Sequence, residues 1–252
     1  MRKYLHRFYN ALQRALAPGL RNSQFAYKEA LVAHSRPGIV WLDLGCGHQI
    51  LPEWMPSSQQ DEADLLRRPR LFIGIDADAP SLRKNNLVRR LVAGNIEALP
   101  FRDQTFDLIT ANMVIEHIES PAELLREVHR VLRAGGEFLF HTPNSQGYTT
   151  LTARALPQRA KIWFVHFLQG REEGDVFPTF YRLNSPAAIE SLALQSGFEV
   201  DRLSLEESSA QTVMLGPLVI LELLLIRALR WDFLRRFRTN LIIVLRKPVL
   251  PA

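Results

Sequence analysis

The chain predicts an α/β domain with a doubly wound, mainly parallel sheet, and three observations carry that prediction. Short apolar runs alternate with longer polar-patterned segments from residue 39 to about 142, which is the rhythm of βαβ units. Four of the runs, IVWLDL (39–44), LFIGID (71–76), FDLITA (106–111) and EFLFHT (137–142), are apolar almost throughout, as strands covered on both faces should be. Helix punctuation falls between them. Ser120-Pro121-Ala122-Glu123 offers a capping serine, a proline at the first helical position and a glutamate three after the cap, and Gly135-Gly136 closes the segment. A length of 252 residues suits one such domain with insertions and is short for two independent cores.

Taken in order, residues 1–38 form an N-terminal helical segment. It is basic and amphipathic but has no apolar stretch of secretory length. Residues 39–252 make the main domain. After the first two runs, RLVAG (90–94) is a weaker strand candidate, FDLITA follows, and the helix from Ser120 leads into EFLFHT. Residues 145–183 break the rhythm and carry Trp163, Phe164, Phe167, Phe177, Phe180 and Tyr181. An aromatic insertion after a strand's carboxyl end is either a lid over a ligand or a satellite core under a long loop. Asn184-Ser185-Pro186 starts another helix that runs to Gly197. FEVDRLSLEE (198–207) then reads as a strand and TNLIIVLRKP as the last one, with residues 208–238 inserted between the two.

Cys46 is the single cysteine, which excludes an internal disulfide framework and suits a reducing, cytoplasmic setting. The net charge of +5 is unevenly placed. Arg227, Arg230, Arg235, Arg236, Arg238, Arg246 and Lys247 fall in one C-terminal stretch whose only acids are Glu222 and Asp232.

The loop after the first run, Gly45-Cys46-Gly47-His48-Gln49-Ile50, has isoleucine where a dinucleotide fingerprint would place its third glycine. That weakens a pyrophosphate reading. A ligand without phosphates needs only the tight turn and the close backbone approach that Gly45 and Gly47 supply. Asp76 ends the second run, where a carboxylate can accept both hydroxyls of a ribose. The bland alternative for such a strand-ending aspartate is a helix cap.

With DLGCG (43–47), IGID (73–76), GNIEALPF (94–101), FDLITANMVIEHI (106–118) and VHRVLRAGGEFLFHTPN (128–144) in this order, the chain resembles the class I S-adenosylmethionine-dependent methyltransferases, in particular the broad group that includes quinone-biosynthesis and small-molecule enzymes. YRLNSPAAIESLALQSGF (181–198) matches more loosely. The resemblance implies a Rossmann-like, seven-stranded sheet with an antiparallel last strand and a helical C-terminal insertion. It implies S-adenosyl-L-methionine as cofactor, held by Asp43, Gly45, Cys46 and Gly47 at the methionine end, with Asp43 near its ammonium. Asp76 and Ala77 would lie at the ribose, Asn95 and Ile96 at the adenine, and Asn112 and Met113 would close the pocket. Asn95 stands where the family usually has aspartate, and Gln49 where it often has a third glycine.

Methyl transfer from a sulfonium depends mainly on alignment and desolvation, so few catalytic residues are obligatory. Where an acceptor needs a base, the candidates at strand ends are Glu116, His117 and His141, with His117 first. Each has a structural alternative: Glu116 and His117 could order the loop before the helix at Ser120, and His141 could hydrogen-bond within a buried strand end. No histidine or acid pair has metal-ligand spacing, so no metal is expected.

VMLGPLVILELLLIRAL (213–229) is apolar, interrupted by Gly216-Pro217 and Glu222, and followed by RWDFLRRFR. It is too short and too interrupted to span a bilayer comfortably. It suits an interfacial helix on an anionic membrane surface, at the inner face of the membrane. The alternatives are a helix pair on the domain, a dimer interface, or a wall of the acceptor site. No nucleic-acid-binding motif accompanies the arginines, so no nucleic acid is expected, and nothing in the pattern sets an oligomeric state. The sequence thus supports methyl transfer to a small hydrophobic acceptor such as a lipid, quinone precursor or polyketide-like molecule. The second reading is a non-catalytic cofactor-binding module, and a nicotinamide-dependent enzyme is the third.

Overall fold

The structure, a computed structural model, describes residues 2–155 and 178–249. The apolar runs become the strands β1 (Val40–Leu44), β2 (Leu71–Asp76), β4 (Phe106–Asn112) and β5 (Leu132–Pro143). The weaker candidate becomes β3 (Leu91–Ala93), and the C-terminal pair become β6 (Glu199–Glu206) and β7 (Asn240–Arg246). One sheet holds all seven in the order β3-β2-β1-β4-β5-β7-β6. β1 pairs in parallel with β2 and β4, β2 with β3, and β4 with β5. β7 is reversed against β5: Gly135 donates its N–H to the Lys247 carbonyl at 2.8 Å, and Lys247 donates to the Gly136 carbonyl at 2.9 Å. That reciprocal exchange is the antiparallel pattern.

The helices are α1 (Arg2–Leu16), α2 (Ser23–His34), α3 (Ser58–Leu66), α4 (Ala79–Leu82), α5 (Pro121–Val131), α6 (Tyr148–Ala155), α7 (Pro186–Gln195) and α8 (Leu218–Ala228). At α7 the expected start holds, since the Ser185 hydroxyl accepts the Ala188 N–H at 3.3 Å. At α5 two expectations need correction. The Ser120 side chain makes no capping bond; its backbone N–H instead donates to Glu97 Oε1 at 2.9 Å. The helix also ends at Val131, not at Gly135-Gly136, and the glycine pair lies inside β5. The reason is a bulge: Phe106 pairs with Leu132 and Leu108 with Glu137, so β5 carries extra residues over this step. Gly135 takes φ +75°, and a Cβ on Gly136 would sit 2.9 Å from the Arg133 carbonyl oxygen.

The described chain divides into two compact units. The larger comprises Gln24–Thr142, Thr179–Ser204 and Leu241–Ala252 and holds most of the sheet. Its core joins Trp41, Leu108, Leu139, Ile242 and Val244 of the strands to Tyr27 and Leu31 of α2 and Leu65 of α3. Full burial of each such side chain stabilises by about 2 kcal/mol. The smaller comprises Met1–Ser23, Pro143–Pro178 and Leu205–Asn240. In it Tyr9, Ala17 and Leu20 cluster with Val219, Leu223 and Ile226 of α8. Glu222, which interrupts the apolar run in sequence, is buried there as a clip: its carboxylate accepts from the Tyr148 hydroxyl and from the Gln211 and Thr212 N–H groups at 2.7–2.8 Å.

Candidate active site at the carboxyl edge of the sheet

Parallel strands point their carboxyl ends to one edge, and β1, β2, β3, β4 and β5 deliver the chain's motifs there. β1 leads into Gly45 (φ +63°) and Gly47 (φ +48°), conformations that glycine alone adopts without strain. Gly45 needs its missing side chain on a second count, because a Cβ would lie 2.4 Å from Val114 Cγ2. Gly74 of β2 is equally constrained, with Cys46 Sγ 2.5 Å from where its Cβ would be. Cys46 is buried, and that burial pushes its thiol pKa up, so it fills space as an un-ionised group.

Asp76 ties two turns together. Its Oδ2 accepts the Gly47 N–H and its Oδ1 the Asp78 N–H, each at 2.8 Å. A carboxylate offers about four acceptor positions, so each oxygen keeps a lone pair that can accept one hydroxyl of a vicinal diol. Ala77 beside it is exposed. After Gly47 the next α-helix, α3, begins only at Ser58. The loop therefore presents no helix N-terminus, the feature on which pyrophosphate binding relies. Glu62 of α3 instead fixes the loop, accepting from the Ile50 and Leu51 N–H groups at 3.1 and 3.3 Å.

Asp43 lies inside the sheet. It is register partner of Thr110, whose hydroxyl donates to Asp43 Oδ1 at 2.5 Å and accepts from Trp41 Nε1 at 2.7 Å. Burial raises the Asp43 pKa to about 7; the Thr110 bond opposes this, while the charges of Glu62 and Asp76 add to it. A cation beside such a carboxyl group would favour its ionised form. The Tyr27 hydroxyl, also fully buried, has no hydrogen-bond partner among the described residues.

Asn95 is exposed at the end of β3, and its side-chain oxygen accepts the Glu97 N–H at 2.9 Å, leaving one lone pair on that oxygen; Ile96 is buried behind it. Asn112 ends β4 in an amide pair with Gln24 of α2 (3.2 and 3.0 Å). Met113 follows at φ +57°, a strained conformation for a side chain of this size, with its side chain partly exposed.

The three candidate bases lie in different environments. His141 is completely buried at the end of β5, stacked on Tyr27 with ring centroids 5.4 Å apart, and its Nδ1 donates to Asn112 Oδ1 at 2.9 Å. Burial lowers its pKa to about 3, so the imidazole is neutral throughout the physiological range. Glu116 is buried and accepts from the Thr142 hydroxyl at 3.1 Å, while its backbone carbonyl accepts the Phe180 N–H at 2.8 Å. His117 is the more exposed, with Nε2 4.0 Å from Glu116 Oε1. Of the aromatic insertion, Phe180 and Tyr181 are seen here, whereas Trp163, Phe164, Phe167 and Phe177 lie outside the described residues. Among the described residues no group of three His, Cys, Asp or Glu side chains could hold a metal ion.

Gln24, Glu62, Thr110 and Tyr27 were not candidates on sequence grounds. Thr110 becomes visible once β1 is placed beside β4, because the register sets it opposite Asp43. The other three come from helices, where no local pattern marks them.

A seven-stranded sheet of this order agrees with the resemblance of the sequence to class I S-adenosylmethionine-dependent methyltransferases. Residues 42–140 match the family model described as a methyltransferase domain. The chain is 30% identical over 138 residues to a malonyl-[acyl-carrier protein] O-methyltransferase of Pseudescherichia vulneris, covering 53% of this chain and 47% of that protein. It is 32% identical over 107 residues to a demethylmenaquinone methyltransferase of Lactiplantibacillus plantarum, covering 39% and 42%. The chain thus spans about half the length of these curated relatives. A crystal structure of an S-adenosylmethionine-dependent methyltransferase from Mesorhizobium loti superposes with a TM-score of 0.55 at 18% identity, covering 86% of this chain and 96% of that one. It shares the fold. S-adenosyl-L-methionine is the cofactor that the match to the methyltransferase model implies.

Proposed function

We propose that the chain transfers a methyl group from S-adenosylmethionine to a small hydrophobic acceptor and works at a membrane face. The observation that carries the reading is Asp76, fixed by the Gly47 and Asp78 N–H groups with a lone pair left on each oxygen. In this reading Asp43, Gly45, Cys46 and Gly47 receive the methionine end. Asp76 and Ala77 hold the ribose, Asn95 and Ile96 flank the adenine, and Asn112 and Met113 close the pocket. The donor, when bound, supplies a methyl group on a sulfonium with a neutral thioether leaving group. His117 accepts the acceptor's proton where one must leave, and Glu116 steadies that imidazole. His141 orients Asn112 through its Nδ1 bond.

Two features support the apolar acceptor and the membrane face. Met113 and Phe180 leave partly exposed apolar side chains in the larger unit. In the smaller unit Leu221, Trp231 and Phe233 are 64%, 61% and 70% exposed, with Arg227, Arg235 and Arg236 exposed in the same stretch. Apolar side chains with flanking cations suit insertion among anionic headgroups. No helix among the described residues is long and apolar enough to cross a membrane.

The test is transfer of labelled methyl from S-adenosylmethionine into cell extract, partitioned between organic solvent, water and protein. Label in the organic phase that is lost with Asp76→Ala is the expected result. Label confined to water or protein would reject the hydrophobic acceptor. Cofactor binding without transfer to any fraction would favour the non-catalytic module.

A further inference from the structure

We infer that the amino-terminal edge of β2 and β3 carries a second binding site, one that takes a multiply ionised phosphate compound. A cavity of about 470 Å³ opens there, lined by Arg67, Arg70, Arg89 and Arg90 over a floor that includes Phe72 and Leu87, with no carboxylate among its lining residues. Arg70 precedes β2 and Asp76 ends it, so the site lies about 17–20 Å along the strand from the cofactor edge.

Several arginines of this unit are held by partners. Arg130 binds Glu127 and Asp103, Arg133 binds Asp107, and Arg246 binds Glu137 and Asp201. Arg68, in the same run as the cavity arginines, donates to the Val32 carbonyl and the Ser35 hydroxyl. Of the four in the cavity, only Arg67 has an ion-pair partner among the described residues, Asp64 at 2.9 Å. Arg70, Arg89 and Arg90 are exposed and have none.

Their backbone is fixed. Arg70 donates its N–H to Ile39 O and the Arg90 carbonyl accepts the Gly74 N–H, each at 2.9 Å. The buried Asn85 side chain holds the turn before Arg89 through the Leu87 and Val88 N–H groups. β3 is an outer strand, and one cation would be enough to guard such an edge against pairing. Three unneutralised guanidiniums around one concavity repel one another unless an anion joins them. Their planar forks match phosphate oxygens two at a time, and the apolar floor accommodates an uncharged body attached to the phosphates. The site is independent of the methyl-transfer reading.

The experiment is calorimetric titration of the full chain with inorganic tripolyphosphate, repeated with Arg70→Gln/Arg89→Gln. We expect saturable binding by the wild type, weakened at least about tenfold in the double variant, with S-adenosylmethionine binding and the thermal midpoint unchanged. A parallel arm uses vesicles of phosphatidylcholine with a phosphoinositide bisphosphate. Binding there that the double variant loses, without tripolyphosphate binding, would assign the phosphate to a lipid headgroup. The inference is overturned if neither probe binds, or if both bind the double variant as tightly as the wild type.

Discussion

In the larger unit Val40, Trp41, Leu42 and Leu44 of β1 are all buried, whereas α8 of the smaller unit buries Val219, Leu223 and Ile226 but exposes Leu218, Leu221, Leu224 and Leu225. As sequence the two stretches look alike, each a nearly unbroken apolar run. A central strand is covered on both faces, so a continuous run is what its surroundings need. A helix packed along one stripe leaves the opposite side of the same run in solvent. Polar groups differ in the same way. Asp76 stands at the edge where β2 ends and keeps acceptor capacity for a ligand, while Glu222 directs its buried carboxylate at its own loop through Gln211, Thr212 and Tyr148. The lesson is that apolarity and buried acids acquire meaning from what lies on the other side of the element.

The contrast can be broken most decisively at Asp76. Replacing it with alanine removes the acceptor for the Gly47 and Asp78 N–H groups. A loss of about 2–3 kcal/mol in charged hydrogen bonding should weaken S-adenosylmethionine binding about a hundredfold in titration calorimetry, and methyl transfer with it. Glu222→Ala should leave that affinity unchanged.

Paired glycine substitutions come next. Gly45→Ala adds a Cβ 2.4 Å from Val114 Cγ2 at a positive φ, while Gly216→Ala in the smaller unit meets only the positive φ, with nothing within 4 Å. Strain alone costs about 1 kcal/mol, and strain with a clash about 2–4 kcal/mol. Thermal melting should therefore show a clearly larger loss for Gly45→Ala, and equal losses would contradict the tight approach at the glycine loop.

Asp43 supplies a pH test. With its pKa at about 7 in the free protein, a cationic ligand favours the ionised form, so affinity should fall about tenfold from pH 8 to pH 6, with proton release on binding near pH 7. Asp43→Asn should flatten the part of the profile that this carboxyl contributes. The sign for folding is opposite to that of a salt-bridged aspartate. Between 3.8 and about 7 the native protein holds a proton that the unfolded chain has shed, so stability from this group falls as pH rises through that window.

The smallest effect on the folded protein is expected at the exposed stripe. Leu221→Ser with Trp231→Ser should change the melting midpoint by less than about 1 kcal/mol equivalent, yet reduce sedimentation with anionic vesicles. Unaltered vesicle binding would remove the membrane face from the proposal and leave the cofactor site untouched.

Much of this architecture was readable in the chain because strands of a parallel sheet advertise themselves: IVWLDL, LFIGID and FDLITA lie within one residue of β1, β2 and β4. The end of the helix after Ser120 is not legible locally, since Gly135-Gly136 suits both a helix stop and a bulged strand and only pairing with β4 decides between the two. In the site, Asp43, Gly45, Gly47 and Asp76 follow from strand ends and a glycine loop that local chemistry marks. Gln24, Glu62 and Tyr27 do not, being helix residues whose partners lie 88, 12 and 114 positions away (Asn112, Ile50 and His141).

The amino-acid sequence by itself determined the order of the strands, the glycine loop, and the acids at the strand ends, because each depends on local periodicity or on the backbone freedom of a few residues. Tertiary structure alone decided that Asp43 meets Thr110, that His141 is a buried neutral ring, that Glu222 faces inward while Leu221 faces out, and that Arg70, Arg89 and Arg90 share one concavity. Those outcomes depend on which elements lie side by side, and burial and charge balance are properties of that neighbourhood.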